Sequence, residues 1–182
     1  MKLRLEMTGG WGGAREIERG ALRAAVRRGL ARGVAKGAVA IHARIKKHIA
    51  RGRSEHAPLH PFTIAQKGSE RPLVNHGDLL NGVSVQFLSE LVAFIGVARG
   101  AKANGKDLVS IAAVQEFGAT IKVTPRMRAF LHAKGLHLKP TTKAIVIPPR
   151  PYVRPAWDEG QAEVEAIFRD EVQAEIGRLV QR

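Results

Sequence analysis

Residues 145–160, IVIPPRPYVRPAWDEG, constrain the fold more than any other stretch of the chain. Pro148, Pro149, Pro151 and Pro155 fall within eight residues. Each fixes its φ and lacks an N–H, so the segment can be neither a helix interior nor a central strand. Ile145, Val146 and Ile147 read as a strand that has to stop at Pro148. Further on, Pro155 suits the first position of a helix, and Asp158 and Glu159 complement the positive end of its dipole. The chain must pass from strand to helix through a stiff arm that carries Arg150, Tyr152 and Arg154.

The helix after the arm, residues 155–182, shows a core-facing stripe of Trp157, Val164, Phe168, Val172, Ile176 and Leu179. Its polar positions are acidic, among them Glu163, Glu165, Asp170, Glu171 and Glu175. Residues 14–51 form its basic counterpart. Ile17, Ala21, Ala24, Leu30, Val34, Ala38, Ile41, Ile45 and Ile49 recur at helical spacing. Arg23, Arg27, Arg28, Arg32, Lys36, Lys46 and Lys47 fill the positions between. Gly29, Gly33 and Gly37 recur every fourth residue. Each costs about 1 kcal/mol relative to alanine in a helix, which calls for a second element approaching closely or for a kink. The formal charge of +14 predicts attraction to polyanions or acidic surfaces. The alternative is mutual: the basic helix faces the acidic helix of the same copy or of a neighbour.

Between the two helices the pattern is mixed. Residues 1–13 read as a strand, KLRLEM, and a flexible loop, GGWGG. Residues 52–72 are a polar, proline-broken, mobile loop. The sheet core spans 73–155. It opens on LVNHGDLLNG, one helical turn with Asp78 as its cap, followed by a hairpin of SVQFLS and LVAFIGV that turns near Ser89 and Glu90. RGAKANGK is a basic loop. Asp107 caps a short central helix, LVSIAAVQEFG, which Gly118 ends. TIKVTP and KAIVIPP are strands on either side of an excursion over 126–142. This order predicts a single α+β domain, 1–182: a mostly antiparallel sheet packed by the long N-terminal and C-terminal helices, with the short helix between.

Chemistry is sparse. The 182 residues include no cysteine, which excludes disulfides and thiolate chemistry. No apolar run reaches the length of a membrane span and no signal-peptide core is visible, so a protein made and used inside a cell is expected. Gly100 to Lys106 matches GxxxxGK, but Asp107 stands where a phosphate loop needs Ser or Thr for magnesium. His56 and His60 are four apart, yet Pro58 and Pro61 deny them the helix that would aim both at one metal. Glu116 reads as an exposed residue at a helix end. No acid–base pair or nucleophile stands out, so neither enzymatic activity nor a cofactor or metal is expected. Trp11, Tyr152, Trp157 and the phenylalanines are too scattered for a base-stacking platform, and nucleic acid would be met through phosphates alone.

Four motifs in order resemble the virion-morphogenesis family of tailed phages, the Mu-type tail-completion proteins. They are Gly77-Asp-Leu-Leu with Ser84; Ile95-Gly-Val97; Ala113-Val-Gln-Glu-Phe-Gly118; and Ile147-Pro-Pro-Arg-Pro-Tyr152. They correspond to the family's hGxLxxS stretch, its strand pair ending near Gly-Val, its YAxxHxFG helix end and its IPxRPF motif. The resemblance covers roughly 73–159. Gln115 and Glu116 depart from the family's usual His-Gln pair, and Pro149 and Tyr152 from its Ala and Phe. The resemblance implies a structural protein acting in tail completion, as tail terminator or in the neck at the head–tail junction. It further implies an oligomeric ring, often a hexamer, in the virion, built in the host cytoplasm beside other tail or neck proteins. Genomic DNA would pass through its lumen. On this reading Pro148, Pro149, Arg150, Pro151, Tyr152 and Arg154 form a subunit interface; otherwise the arm only ends a strand, with Tyr152 in its own core. Arg23, Arg27, Arg28, Arg32, Lys36, Lys46 and Lys47 face acidic partners or DNA. The alternative function is sequence-independent nucleic-acid binding by residues 15–53.

Overall fold

A computed structural model describes residues 2–5, 15–51 and 56–181, with side chains from Glu18 onward. The GGWGG loop with Trp11, and residues 52–55, lie outside the described residues. The architecture is α+β, with a long helix near each end of the chain and small antiparallel sheets between. The sheet differs from the single one expected: among the described residues the strands divide into four two-stranded ladders. The chain falls into two compact units.

The first unit holds residues 1–42, 85–95 and 159–182. Strand β1 (Lys2–Leu5) pairs antiparallel with β2 (Arg15–Glu18), Leu3 opposite Ile17. The helix expected from residue 14 therefore begins at Arg19, because the alternation of REIE favours the ladder. Helix α1 (Arg19–Arg51) then runs unbroken through Gly29, Gly33 and Gly37. Its partner is α6 (Val153–Val180). A methyl group at Gly29 would lie 2.6 Å from the Val172 backbone, one at Gly33 2.6 Å from the Phe168 ring, and one at Gly37 3.3 Å from Val164. The order 29–172, 33–168, 37–164 makes the two helices antiparallel. Glycine every fourth residue on one helix receives a large side chain every fourth residue on the other, so close approach is the reason for the glycines. The unit also holds most of the hairpin of β3 (Val83–Ser89) and β4 (Val92–Val97), whose turn is braced by the Leu91 N–H donating to Ser89 Oγ at 3.3 Å.

The second unit holds residues 43–84 and 96–158. Ile45 and Ile49 from the end of α1 are fully buried, as is Pro72. Within the expected loop 52–72 the structure places a helix, α2 (Pro61–Lys67). Pro61 occupies its first turn, His60 Nδ1 accepts from the Phe62 N–H, and Gly68 closes it with φ +68°. Helix α3 (Asp78–Gly82) is the predicted single turn, but Gly77 is its N-cap and Asp78 its first residue, so Asp78 does not cap. The GxxxxGK stretch is no open loop: β5 (Lys102–Ala103) and β6 (Lys106–Asp107) pair around Asn104 and Gly105, whose φ of +49° and +76° suit a tight hairpin turn. Helix α4 (Leu108–Phe117) starts as predicted, with Asp107 accepting from Ser110 N–H at 2.8 Å and from Ser110 Oγ at 2.5 Å. These bonds hold the Asp107 carboxyl below its ordinary pKa. Strands β7 (Ala119–Lys122) and β8 (Ala144–Ile147) pair antiparallel, Ala119 opposite Ile147. The excursion between them contains α5 (Pro125–Ala133), capped by Thr124.

Candidate functional site

The proline arm leaves β8 at Ile147 and meets the last turn of α4. Gly118, at φ +74°, is the contact point: a Cβ there would sit 2.8 Å from the Ile147 carbonyl oxygen and 3.0 Å from Pro149 N. Pro148 and Pro149 are exposed. At Arg150 the arm turns inward. The Arg150 N–H donates to the Gln115 carbonyl at 2.6 Å. Its guanidinium donates to the carbonyls of Ala57 (2.8 Å) and Pro58 (3.1 Å) and to Gln115 Oε1 (3.4 Å). Only 5% of Arg150 is exposed, and this burial lowers its pKa. A buried cation is tolerable here because carbonyl and amide oxygens surround its fork of donors.

Glu116, one residue on, organises the start of α6. Its Oε2 accepts from the N–H groups of Tyr152 (2.8 Å) and Val153 (3.0 Å), and its Oε1 from that of Arg154 (3.1 Å). These are donors that a helix start leaves without intrahelical partners, and a carboxylate also suits the positive end of the dipole. Glu116 is therefore a remote cap and not the plain exposed helix end that its sequence position implies. A signal was available: a carboxylate in the last turn of α4 opposes that helix's own dipole and so needs another reason to be there. Tyr152 is buried, at 3% exposure. Burial first, and the Glu116 charge second, push its phenol well above its ordinary pKa.

The six arm residues expected at a subunit interface thus separate. Arg150 and Tyr152 are occupied within the chain, by its own carbonyls and its own core, in place of the expected subunit interface. Pro148, Pro149, Pro151 and Arg154 remain on the surface. Arg154 lies 3.9 Å from Asp158, one turn along α6.

Part of the basic face of α1 meets acidic residues of the same copy, the mutual alternative read from the sequence. Glu175, buried on α6, takes Arg28 at 2.9 Å and Arg32 at 2.7 Å, and is joined by Arg178. The Arg28 hydrogen bond leads in holding the Glu175 carboxyl below its ordinary pKa, with Arg32 and Arg178 adding to it. Lys36 pairs with Glu171, and Arg27 with Glu90 at 2.9 Å. Arg27, Arg28, Arg32 and Lys36 of the basic face thus meet carboxylates of their own chain. Arg23 and Lys47 are exposed, and Lys46 is half-buried.

His56 and His60 are not brought to one metal. His56 is buried with Nε2 donating to the His48 carbonyl at 3.0 Å, while His60 caps α2. A cavity of about 430 Å³ opens among α2, α3 and α4, with Leu79, Leu108 and Ile111 in its wall and Lys67, Asp78 and Lys106 as its charged groups. Burial, reinforced by Arg150 and Arg71, lowers the Lys67 pKa.

The feature sequence reasoning missed is apolar. On the β3–β4 hairpin Phe87 (56%), Leu88 (67%), Leu91 (42%), Val92 (50%) and Phe94 (41%) all stand exposed. Alternation predicts one covered face for such a hairpin, and this one is uncovered toward its tip. Comparison with protein-family models, curated proteins and solved structures finds no match. Among the described residues no helix is long and apolar enough to cross a membrane.

Proposed function

We propose that the chain is a structural subunit of a tailed-phage virion, acting in tail completion at the head–tail junction as an oligomeric ring. The observation that carries the proposal is the exposed apolar β3–β4 hairpin. A two-stranded hairpin is marginal in water, and a stable sheet needs further strands or a covered face. Five large apolar side chains at 41–67% exposure within eight residues form the kind of patch that marks an association site. All the ladders among the described residues are two-stranded, so each also presents backbone edges for pairing. A contact between this hairpin and a different surface of the next copy is heterologous, and such contacts close into rings when the rotation allows.

The phage assignment rests on the order of the four motifs and their resemblance to the Mu-type tail-completion proteins. In this reading Arg150, Gln115 and Glu116 set the arm rigidly, and Pro148, Pro149, Pro151 and Arg154 are what it offers to a neighbour. A pre-ordered arm loses little entropy on docking. Other tail or neck proteins are the remaining partners. The test is the solution mass by light scattering in about 0.5 M salt, where the Debye length is about 4 Å and nucleic acid dissociates. A discrete oligomer larger than a dimer is expected; a monomer at every protein concentration would overturn the ring.

A further inference from the structure

From residue 117 to residue 157 the chain contains no Asp or Glu, while it carries Lys122, Arg126, Arg128, Lys134, Lys139, Lys143, Arg150 and Arg154. Two of these are consumed internally. Arg150 is buried in the arm, and Arg128 donates to the carbonyls of Leu138 (3.0 Å), Lys139 (2.8 Å) and Thr142 (2.7 Å). The Arg128 bonds fix the loop after α5, and His132 and His137 meet edge to face across it with centroids 4.2 Å apart. The excursion between β7 and β8 is therefore an ordered platform. Arg126, Lys134, Lys139 and Lys143 stand exposed on it and Lys122 at its edge, the last residue of β7, with Phe130 60% exposed among them.

We propose that this excursion is a docking surface for the phosphate backbone of nucleic acid, without base specificity. Three observations carry the proposal, and the second favours phosphate over an acidic protein face. Between Glu116 and Asp158 the sequence offers no carboxylate to compete for the cations, in contrast to α1, whose Arg28, Arg32 and Lys36 are already matched by α6. Four of the five exposed cations are lysines, which protein interfaces deplete and which suit point-charge contact with phosphate. One exposed phenylalanine gives a single stacking position, too little to read sequence. The proposal places nucleic-acid contact on 122–143 in preference to residues 15–53. The inference does not rest on the phage reading.

The test is the affinity of the full chain for a labelled DNA duplex of arbitrary sequence, followed by anisotropy between about 50 and 200 mM NaCl. Each phosphate contact contributes about 0.9 to the slope of log K against log salt. The triple variant Lys134→Gln, Lys139→Gln, Lys143→Gln is expected to lower that slope by about 2 to 3. Arginine at the same three positions should restore it. The α1 pair Arg23→Gln, Lys47→Gln removes charge elsewhere and should leave the slope unchanged. Equal loss per charge from both sets would mean that net charge alone binds DNA and would overturn the assignment. So would an absence of binding in 50 mM salt. Polyglutamate displacing DNA at equal charge concentration would overturn it in favour of an acidic protein partner.

Discussion

Glu116 is where a single side chain can be tested most sharply. Three N–H groups converge on its carboxylate at 2.8–3.1 Å. Those of Tyr152 and Val153 are partly buried, whereas that of Arg154 is open to water, which can replace the lost acceptor. Hydrogen bonds to a charged group contribute about 1.5–3 kcal/mol each, and an ordinary capping side chain about 1. Counting the two shielded donors near the lower figure and the third as close to free, Glu116→Ala should cost about 3 kcal/mol. Glu116→Gln keeps the shape and one acceptor oxygen, turns an N–H₂ toward one donor, and should cost about 1 kcal/mol. In a domain of this size 1 kcal/mol is about 2–4 °C in Tm, so thermal melts should rank wild type above Gln and Gln above Ala. Amide hydrogen exchange should quicken at Tyr152, Val153 and Arg154 in both variants. Equal loss from Gln and Ala would show that side-chain volume matters and the carboxylate does not. No loss from Ala would refute the cap.

Gly33→Ala should destabilise by about 1–3 kcal/mol, because its methyl lands on Phe168, while Gly177→Ala, with open space around it, should gain up to about 1 kcal/mol; urea titration separates them. Glu175 has its pKa lowered by Arg28 and its neighbours, so its contribution is complete above its unfolded value of 4.5 and fades as pH falls through the folded value. Glu175→Gln should therefore lower Tm at pH 7 and flatten the fall in stability below pH 4.5, read from melts across pH; an unchanged acid limb counts against the network. Phe87→Ser with Phe94→Ser should reduce the light-scattering mass to that of a monomer while Tm falls little, since both side chains are exposed before assembly. Retention of the oligomer would remove the hairpin from the interface.

Much of this fold is written in local chemistry. The prolines announce the arm because they act on their own backbone, and Asp107 and Gly118 bound α4 for the same reason. The glycine seam is legible because its partner, Val164, Phe168 and Val172, repeats at the same spacing. What stayed hidden depends on partners far along the chain. Glu116 caps a helix that starts 37 residues later, and Arg150 reaches carbonyls more than 90 residues earlier. Carbonyl acceptors leave no mark in a sequence, since every residue has one. Helix α2, at seven residues, is too short for a periodic signal and is held by its caps. Period-two alternation indicates which face a strand covers but not how many strands join it, which is why four ladders stand where one sheet was expected.

The placement of charge separates the two proposed surfaces experimentally. In the proposed ring, a chain of net +14 would associate with copies of itself against its own repulsion. Salt screens that repulsion and leaves apolar burial at the β3–β4 hairpin in place, so self-association should strengthen as salt rises. Docking of phosphate on the 122–143 excursion works in the opposite direction, because salt competes for the released counterions. Mass and DNA affinity measured on one sample across a salt series should therefore move in opposite senses. If both fell together, oligomers would be held by a bridging polyanion, and the hairpin would no longer be needed to explain assembly.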